Sequence, residues 1–230
     1  MSSKRRPPSR SHPPPGVQTD LFAGHAPRLP SGAVKPGEGN APLAARMRPT
    51  TLDGFIGQED VMGVGTPLRG MIENDEIPSL ILWGPPGSGK TTLAAIIAHS
   101  TRRYFEPLSA VDSGVADIRR VVSEARERRR VSGLETVFFI DELHRFSRNQ
   151  QDAVLPYVED GTVRLVGATT ENPSFYVVAP LLSRARVFTL KLLTPEALHK
   201  ILSAALKCDL GLQERNIRAD QSALDSITQL

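Results

Sequence analysis

Gly84-Pro85-Pro86-Gly87-Ser88-Gly89-Lys90-Thr91 fits the phosphate-binding loop pattern G-x-x-x-x-G-K-[ST] at every fixed position. An apolar run, Leu80-Ile81-Leu82-Trp83, precedes it and reads as a buried strand. A helix-like stretch, Thr92-Leu93-Ala94-Ala95-Ile96-Ile97-Ala98, follows. Strand, glycine loop and helix in that order are the context the pattern needs. The glycines let successive backbone N–H groups turn toward an anion, and the helix N-terminus adds positive potential. Lys90 would reach the β- and γ-phosphates of a bound nucleotide, and the Thr91 hydroxyl would hold Mg²⁺. Gly84, Pro85, Pro86, Gly87, Ser88, Gly89, Lys90 and Thr91, with Thr92 behind them, are the candidate nucleotide contacts.

A strand–loop–helix unit needs a sheet around it, and the rest of the chain supplies one. Tyr104–Leu108, Thr136–Ile140, Thr162–Val166 and Arg186–Leu190 are further candidate strands. Between them, Val115–Val131 places Val115, Ile118, Val121, Val122 and Ala125 at helical spacing. Gln150–Val158 reads as a helix disturbed by Pro156. Such alternation gives an α/β fold, a parallel sheet with helices on both faces, whose ligands sit beyond the carboxyl ends of the strands. Thr194-Pro195-Glu196 begins another helix, with threonine as N-cap, proline in the first position and an acid in the first turn. It is expected to run to about Cys208. Asp220 caps a last helical stretch.

Composition divides the 230 residues unevenly. Ten of the 19 prolines lie in the first 49 residues, with Phe22 as the only aromatic there, so residues 1–40 are expected to form a disordered basic tail that buries no core. That segment carries six Lys/Arg against two Asp/Glu. With a chain total of +3, residues 41–230 sum to about −1, so the basic balance belongs to the tail and says little about nucleic-acid binding by the folded part. A single cysteine, Cys208, leaves no internal disulfide and no cysteine-ligated metal site. Lys4, Arg5 and Arg6 are followed by Pro7 and Pro8 where a signal peptide would have an apolar segment, and no apolar run approaches membrane-spanning length. A soluble cytoplasmic protein is expected, with no membrane partner.

Thr136-Val137-Phe138-Phe139-Ile140 ends in Asp141-Glu142, 51 residues after Lys90. Two acids closing a buried strand beside a phosphate loop point to Asp141 on or near Mg²⁺ and to Glu142 orienting and polarising an attacking water. Val166-Gly167-Ala168-Thr169-Thr170 closes the next strand with hydroxyls that could touch a γ-phosphate or that water. Ser183-Arg184-Ala185-Arg186 reads either as a solvated basic turn or as an arginine finger, whose planar permanent charge suits a transferring phosphoryl group.

In this order the residues resemble an AAA+ ATPase of the clamp-loader and branch-migration-motor group. The strings Ala41-Pro42-Leu43-Ala44-Ala45-Arg46-Met47-Arg48-Pro49, Ile56-Gly57-Gln58, Asp141-Glu142-Leu143-His144-Arg145-Phe146, Thr169-Thr170-Glu171-Asn172-Pro173-Ser174-Phe175 and Leu181-Leu182-Ser183-Arg184-Ala185-Arg186 resemble the replication-associated recombination protein A family, relatives of the Werner-helicase-interacting protein. The resemblance spans about residues 41–210. It implies a three-layer AAA+ P-loop fold with a five-stranded parallel sheet over 41–192 and the start of an all-helical lid over 193–230. It also implies ATP and Mg²⁺ as cofactors, Thr169 as sensor, Arg184 as a finger acting on a neighbouring subunit, and Ile56 and Gly57 beside the adenine. It further implies a nucleoid-associated homo-oligomer working on single-strand/double-strand DNA junctions and stalled replication forks. The family continues into a lid arginine and an oligomerisation domain, so this chain reads as a C-terminally truncated member with no residue to offer as second sensor. A branch-migration motor, a clamp-loader subunit, a nucleotide switch with little turnover and an inactive truncated product are the alternatives. Glu142 argues against the switch, which has no need of a water-activating carboxylate.

Two further segments invite a partner. Gln18-Thr19-Asp20-Leu21-Phe22 resembles the short peptide with which bacterial repair proteins dock on the sliding clamp, with Leu21 and Phe22 as apolar anchors and Gln18 for orientation. Arg126-Glu127-Arg128-Arg129-Arg130 could touch a phosphate backbone, but a solvated helix face is the favoured reading.

Overall fold

Among the described residues five short strands form one sheet, its central strands buried on both sides and the last strand largely exposed at one edge. They are β1 (Leu80–Trp83), β2 (Tyr104–Ser109), β3 (Thr136–Asp141), β4 (Val163–Thr169) and β5 (Arg186–Thr189). The computed structural model of the chain describes residues 42–101, 103–110, 113–208, 212 and 217–229. The proposed basic tail and its Gln18, Leu21 and Phe22 lie outside the described residues.

All strand pairs are parallel, in the order β2-β3-β4-β1-β5. The chain therefore leaves β1, crosses to the far edge at β2 and fills back through β3 and β4. It then crosses β1 to add β5. The connections from β1 and from β4 run to opposite sides, so a crevice opens at the carboxyl end of β1, the usual ligand position in such sheets.

Alternation along each strand builds two cores. Leu80 and Leu82 of β1, Val137 and Phe139 of β3, and Val166 and Ala168 of β4 face α3 (Pro67–Glu73) and α4 (Lys90–Ser100). On this side Phe105 stacks on Phe139 with ring centroids 5.5 Å apart. The other residues, Ile81, Phe138, Ile140 and Leu165, pack on α5 (Val115–Ser132), α6 (Arg148–Glu159) and α8 (Ala179–Leu182). The result is three layers. Two four-residue helices, α1 (Leu43–Arg46) and α2 (Glu59–Met62), precede α3, and α7 (Pro173–Tyr176) lies between β4 and α8. A helical region of α9 (Pro195–Lys207) and α10 (Gln221–Thr228) follows β5, with Thr194 and Asp220 accepting the capping hydrogen bonds of Ala197 and Ala223. Cys208 is the residue just past α9. Among the described residues no helix is long and apolar enough to cross a membrane.

The helix expected over 150–158 begins earlier and does not stop at its proline. Ser147 and Gln150 cap it reciprocally, at 3.3 and 2.8 Å, so α6 starts at Arg148. Pro156 sits on the exposed side one turn from the end, where one forfeited backbone hydrogen bond can be made to water instead. Gln151 on the same helix is 1% exposed. Its amide donates to the carbonyls of Phe146 and Tyr176 and accepts from the Val178 N–H, which fastens the α7–α8 segment to α6.

The arginine run of α5 is spent on the fold. Arg128 lies over the Tyr104 ring, 3.5 Å from its centroid, and donates to Thr136 Oγ1 at 2.7 Å, tying α5 to the sheet edge. Arg126 pairs with Asp160, Arg129 donates to the Gly161 carbonyl, and Arg130 pairs with Glu127.

Candidate active site

The loop between β1 and α4 is shaped by close approach. A Cβ at Gly84 would lie 2.3 Å from the Leu190 carbonyl oxygen, so only glycine lets β1 turn there while β5 and its exit pass alongside. Gly87 and Gly89 are left-handed, with φ of 76° and 93°, and Gly87 faces open space. Left-handed residues in sequence turn backbone N–H groups to one side, and α4 directs its own N-terminus at the same point. Thr91 and Thr92 occupy its first turn, and Pro85 and Pro86 form the outer rim.

Lys90 is buried and its ammonium donates to the carbonyls of Gly84 and Pro85, at 2.7 and 2.8 Å. Burial pushes its pKa down, and the nearby carboxylates of Glu142 and Asp141 push it back up. Ser88 is fully buried and its Oγ has no partner. An orphaned hydroxyl, an ammonium hydrogen-bonded to loop carbonyls and open space at Gly87 together fit a chain of phosphates. Among the described residues no group of three or more His, Cys, Asp or Glu could hold a metal. A divalent ion bound by Thr91 and Asp141 would take its remaining ligands from phosphate and water, the habit of Mg²⁺.

Register brings the acids and the threonine to that same edge. Trp83 is opposite Thr169, and Ile140 is opposite Gly167, so Asp141 and Thr169 emerge level with the start of the loop. Gly84 also donates its N–H to the Thr169 carbonyl at 3.2 Å. Glu142 has φ of 54°, one of three non-glycine residues in the left-handed region among the described residues. That conformation is held by the Glu142 N–H on Asp141 Oδ1, at 3.0 Å, and by a short 3₁₀ turn, Leu143–Arg145, that follows at once. Strain of this kind is kept where it aims a side chain. The Glu142 carboxylate lies 3.3 Å from His144 Nε2 and 3.9 Å from Arg145 Nε. Thr169 is 1% exposed, and its hydroxyl contacts His144 Nδ1 at 3.1 Å and the backbone of Glu171.

The remaining candidates are placed elsewhere. A cavity of about 190 Å³ lies between Gly57–Val61 and Thr189–Thr194. Gly57 lines it, and a Cβ there would press on Leu193 at 2.7 Å; Ile56 is half-buried beside it. Arg184 follows α8. It pairs with Glu159 at 2.8 Å and donates to the Pro180 carbonyl and to Ser183 Oγ. The structure therefore gathers Lys90, Asp141, Glu142 and Thr169 on one sheet edge and puts Arg184 on the α6–α8 side. A larger open cleft of about 350 Å³ between α9 and α10 carries none of the phosphate-binding groups.

Two residues belong to this site that chain pattern alone does not assign. Gln58, left-handed at φ 62° and 8% exposed, donates to the carbonyls of Ser88 and Lys191 and accepts from the Lys191 N–H. It straps the phosphate loop to the segment leading into α9. His144 is the other. Both stand in strings quoted above for their resemblance, yet a buried amide or imidazole announces its partners only once the fold is known.

The model of the family "ATPase family associated with various cellular activities (AAA)" matches residues 80–193. The chain is 46% identical over 217 residues to an uncharacterised AAA domain-containing protein of Mycobacterium tuberculosis, covering 94% of this chain and 48% of that one. It is 51% identical over 166 residues to replication-associated recombination protein A of Escherichia coli, covering 72% and 37%. It is 45% identical over 191 residues to the ATPase WRNIP1 of Dictyostelium discoideum, covering 83% and 22%. Among solved structures, the RuvB Holliday junction branch migration motor of Thermotoga maritima superposes with a TM-score of 0.61 at 30% identity, over 80% of this chain and 59% of that one. The chain thus spans less than half the length of each of the three sequence relatives. It belongs to the AAA+ ATPases, in the group of replication-associated recombination protein A and its WRNIP1 relatives.

Proposed function

We propose that residues 41–192 bind Mg²⁺-ATP and hydrolyse it, that 193–230 form the first part of a helical lid, and that the protein spends this hydrolysis on DNA at stalled replication forks and single-strand/double-strand junctions. The observation that carries the reading is the shared sheet edge. The phosphate loop, the Asp141–Glu142 pair and Thr169 all leave their strands level with one another. In this reading Lys90 exchanges the carbonyls of Gly84 and Pro85 for β- and γ-phosphate oxygens. Thr91 and Asp141 hold Mg²⁺, which when bound neutralises developing phosphate charge. Glu142 orients the attacking water, Thr169 donates to the γ-phosphate, and Arg184 reaches the nucleotide of a neighbouring subunit in a homo-oligomer. The cavity at Gly57 and Ile56 takes the base. A switch with little turnover is disfavoured by Glu142, whose left-handed backbone serves no purpose in binding alone.

Lys90→Ala tests the core of this reading. The ammonium is the one buried cation at the loop, and charge-assisted hydrogen bonds of this kind contribute about 1.5–3 kcal/mol, so ATP affinity should fall roughly 10- to 150-fold. Equilibrium titration with labelled ATP measures it, and unchanged affinity removes the phosphate-loop assignment. The DNA reading predicts that forked or gapped duplexes raise the hydrolysis rate above that with blunt duplex.

A nucleoid-associated cytoplasmic location and contact with the sliding clamp through Gln18, Leu21 and Phe22 complete the proposal. Two apolar anchors contribute roughly 1.5–3 kcal/mol each, less the cost of ordering the peptide, so a Val17–Gly24 peptide should bind the clamp with a Kd of order micromolar. Calorimetric titration reads it. No heat at tens of micromolar leaves residues 1–40 without that role.

A further inference from the structure

His144 joins the two groups that must act together on the attacking water. Its Nδ1 is 3.1 Å from the Thr169 hydroxyl and its Nε2 is 3.3 Å from the Glu142 carboxylate. The ring cannot drift from either. It projects from a 3₁₀ turn whose Leu143 is fully buried and packs so closely on β4 that a Cβ at Gly167 would fall 2.6 Å from it. Tyr176 closes the outer side, edge-on at 6.1 Å between centroids.

Donor and acceptor chemistry fixes the direction of this chain. An ionised carboxylate only accepts, so Nε2 carries the proton toward Glu142. In a neutral imidazole Nδ1 then has only a lone pair, so the Thr169–His144 hydrogen bond runs from the hydroxyl to Nδ1. A hydroxyl has one proton. Thr169 cannot give that proton to His144 and to a phosphate oxygen at once. The contact of its oxygen with the Glu171 N–H uses a lone pair, and the Glu171 carbonyl, at 3.3 Å, is a longer alternative acceptor for that proton than Nδ1 at 3.1 Å.

We infer that His144 is a positioning residue that reports the nucleotide state felt by Thr169 to the carboxylate of Glu142. Without a γ-phosphate, Thr169 donates to Nδ1 and the imidazole holds Glu142 aside through Nε2–H. When Thr169 turns its proton to a γ-phosphate, the ring loses the donor that anchors Nδ1 and releases its hold on Glu142. Arg145, 3.9 Å from the same carboxylate and 58% exposed in its side chain, offers no route to Thr169. The inference rests on the roles proposed above for Glu142 and Thr169.

Two readouts test it in the full 230-residue chain. The first is the ring nitrogens of His144 by long-range ¹H–¹⁵N NMR. Without nucleotide, Nε2 should be the protonated nitrogen and Nδ1 the bare one. Saturation with the non-hydrolysable analogue adenylyl-imidodiphosphate should shift the Nδ1 resonance, ADP should not, and Thr169→Val should abolish the response. The second is turnover. His144→Ala should lower kcat about tenfold or more with ATP affinity within twofold, and Thr169→Val should then add little, because the two residues act as one unit. His144→Gln, whose amide can accept from Thr169 and donate to Glu142, should recover most of the loss. Ring signals indifferent to the analogue, or Thr169→Val and His144→Ala effects that multiply independently, overturn the inference. The underlying reading fails differently: the analogue does not bind at all, or Glu142→Gln hydrolyses ATP at the full rate, and the inference falls with it.

Discussion

Glu142→Gln protein should bind ATP as tightly as the unaltered chain and hydrolyse it about 10²–10⁴-fold more slowly, the range for removing a positioned general base. Binding is spared because no phosphate contact is assigned to Glu142. Its effect on Lys90 is the exception to watch. The Glu142 charge helps hold the buried ammonium protonated, and an amide withdraws that help. The sign is a lower Lys90 pKa in the variant. Any loss of ATP affinity should therefore appear on the alkaline side and be absent near neutral pH. The geometry also predicts that Glu142→Asp is no substitute. A side chain one methylene shorter, leaving the same left-handed backbone, ends short of the place the longer one reaches. Single-turnover hydrolysis beside equilibrium binding separates the two effects. A Glu142→Gln variant that turns over at an ordinary rate would sink the general-base role and leave the switch reading in its place.

Much of this fold can be read along the chain, and the reason is physical. The central strands β1 and β3 are covered on both faces, so each appears as a short apolar run, and the runs at Leu80, Thr136 and Val163 stand where expected, whereas β5 at the sheet edge is largely exposed. The five-stranded parallel sheet is the one the family resemblance implies, while its strand order is seen only in the structure. Helix ends are less legible. The passage of α6 through Pro156 depends on which face of the helix meets water, a property of packing and not of local propensity. The three helices described before β1 carry no strong period, because four to seven residues are too few to show one. At the site, glycines and charged residues at fixed spacing speak for themselves, whereas Gln58 and His144 do not. Their partners lie 133 and 25 residues away, on Lys191 and Thr169. A long-range hydrogen bond leaves no trace in spacing. What does mark both places is backbone strain, since Gln58 and Glu142 are two of the three left-handed non-glycine residues among those described.

Arg184→Ala should cut turnover by about 10³ while leaving ATP affinity nearly unchanged, the scale of an arginine supplied to a phosphoryl-transfer site from a neighbour. Within its own subunit Arg184 is engaged with Glu159 at 2.8 Å. That engagement is weak. Both side chains are about two-fifths exposed, and half-solvated pairs of this sort contribute on the order of 0–1 kcal/mol. To reach a γ-phosphate the guanidinium gives up this weak pair together with its exposed hydrogen bonds to the Pro180 carbonyl and Ser183 Oγ. Glu159→Gln should accordingly change turnover by less than about fivefold, the rate equivalent of 1 kcal/mol. The decisive arm is a mixture. In the proposed homo-oligomer each composite site would draw Glu142 from one subunit and Arg184 from the next. Arg184→Ala and Glu142→Gln proteins, each nearly inactive alone, should therefore regain hydrolysis when mixed, because some interfaces then contain both intact groups. Activity rising with the product of the two concentrations is the expected signature. A mixture no faster than either variant would place Arg184 in its own subunit's chemistry or in structure, with Glu159 as its permanent partner.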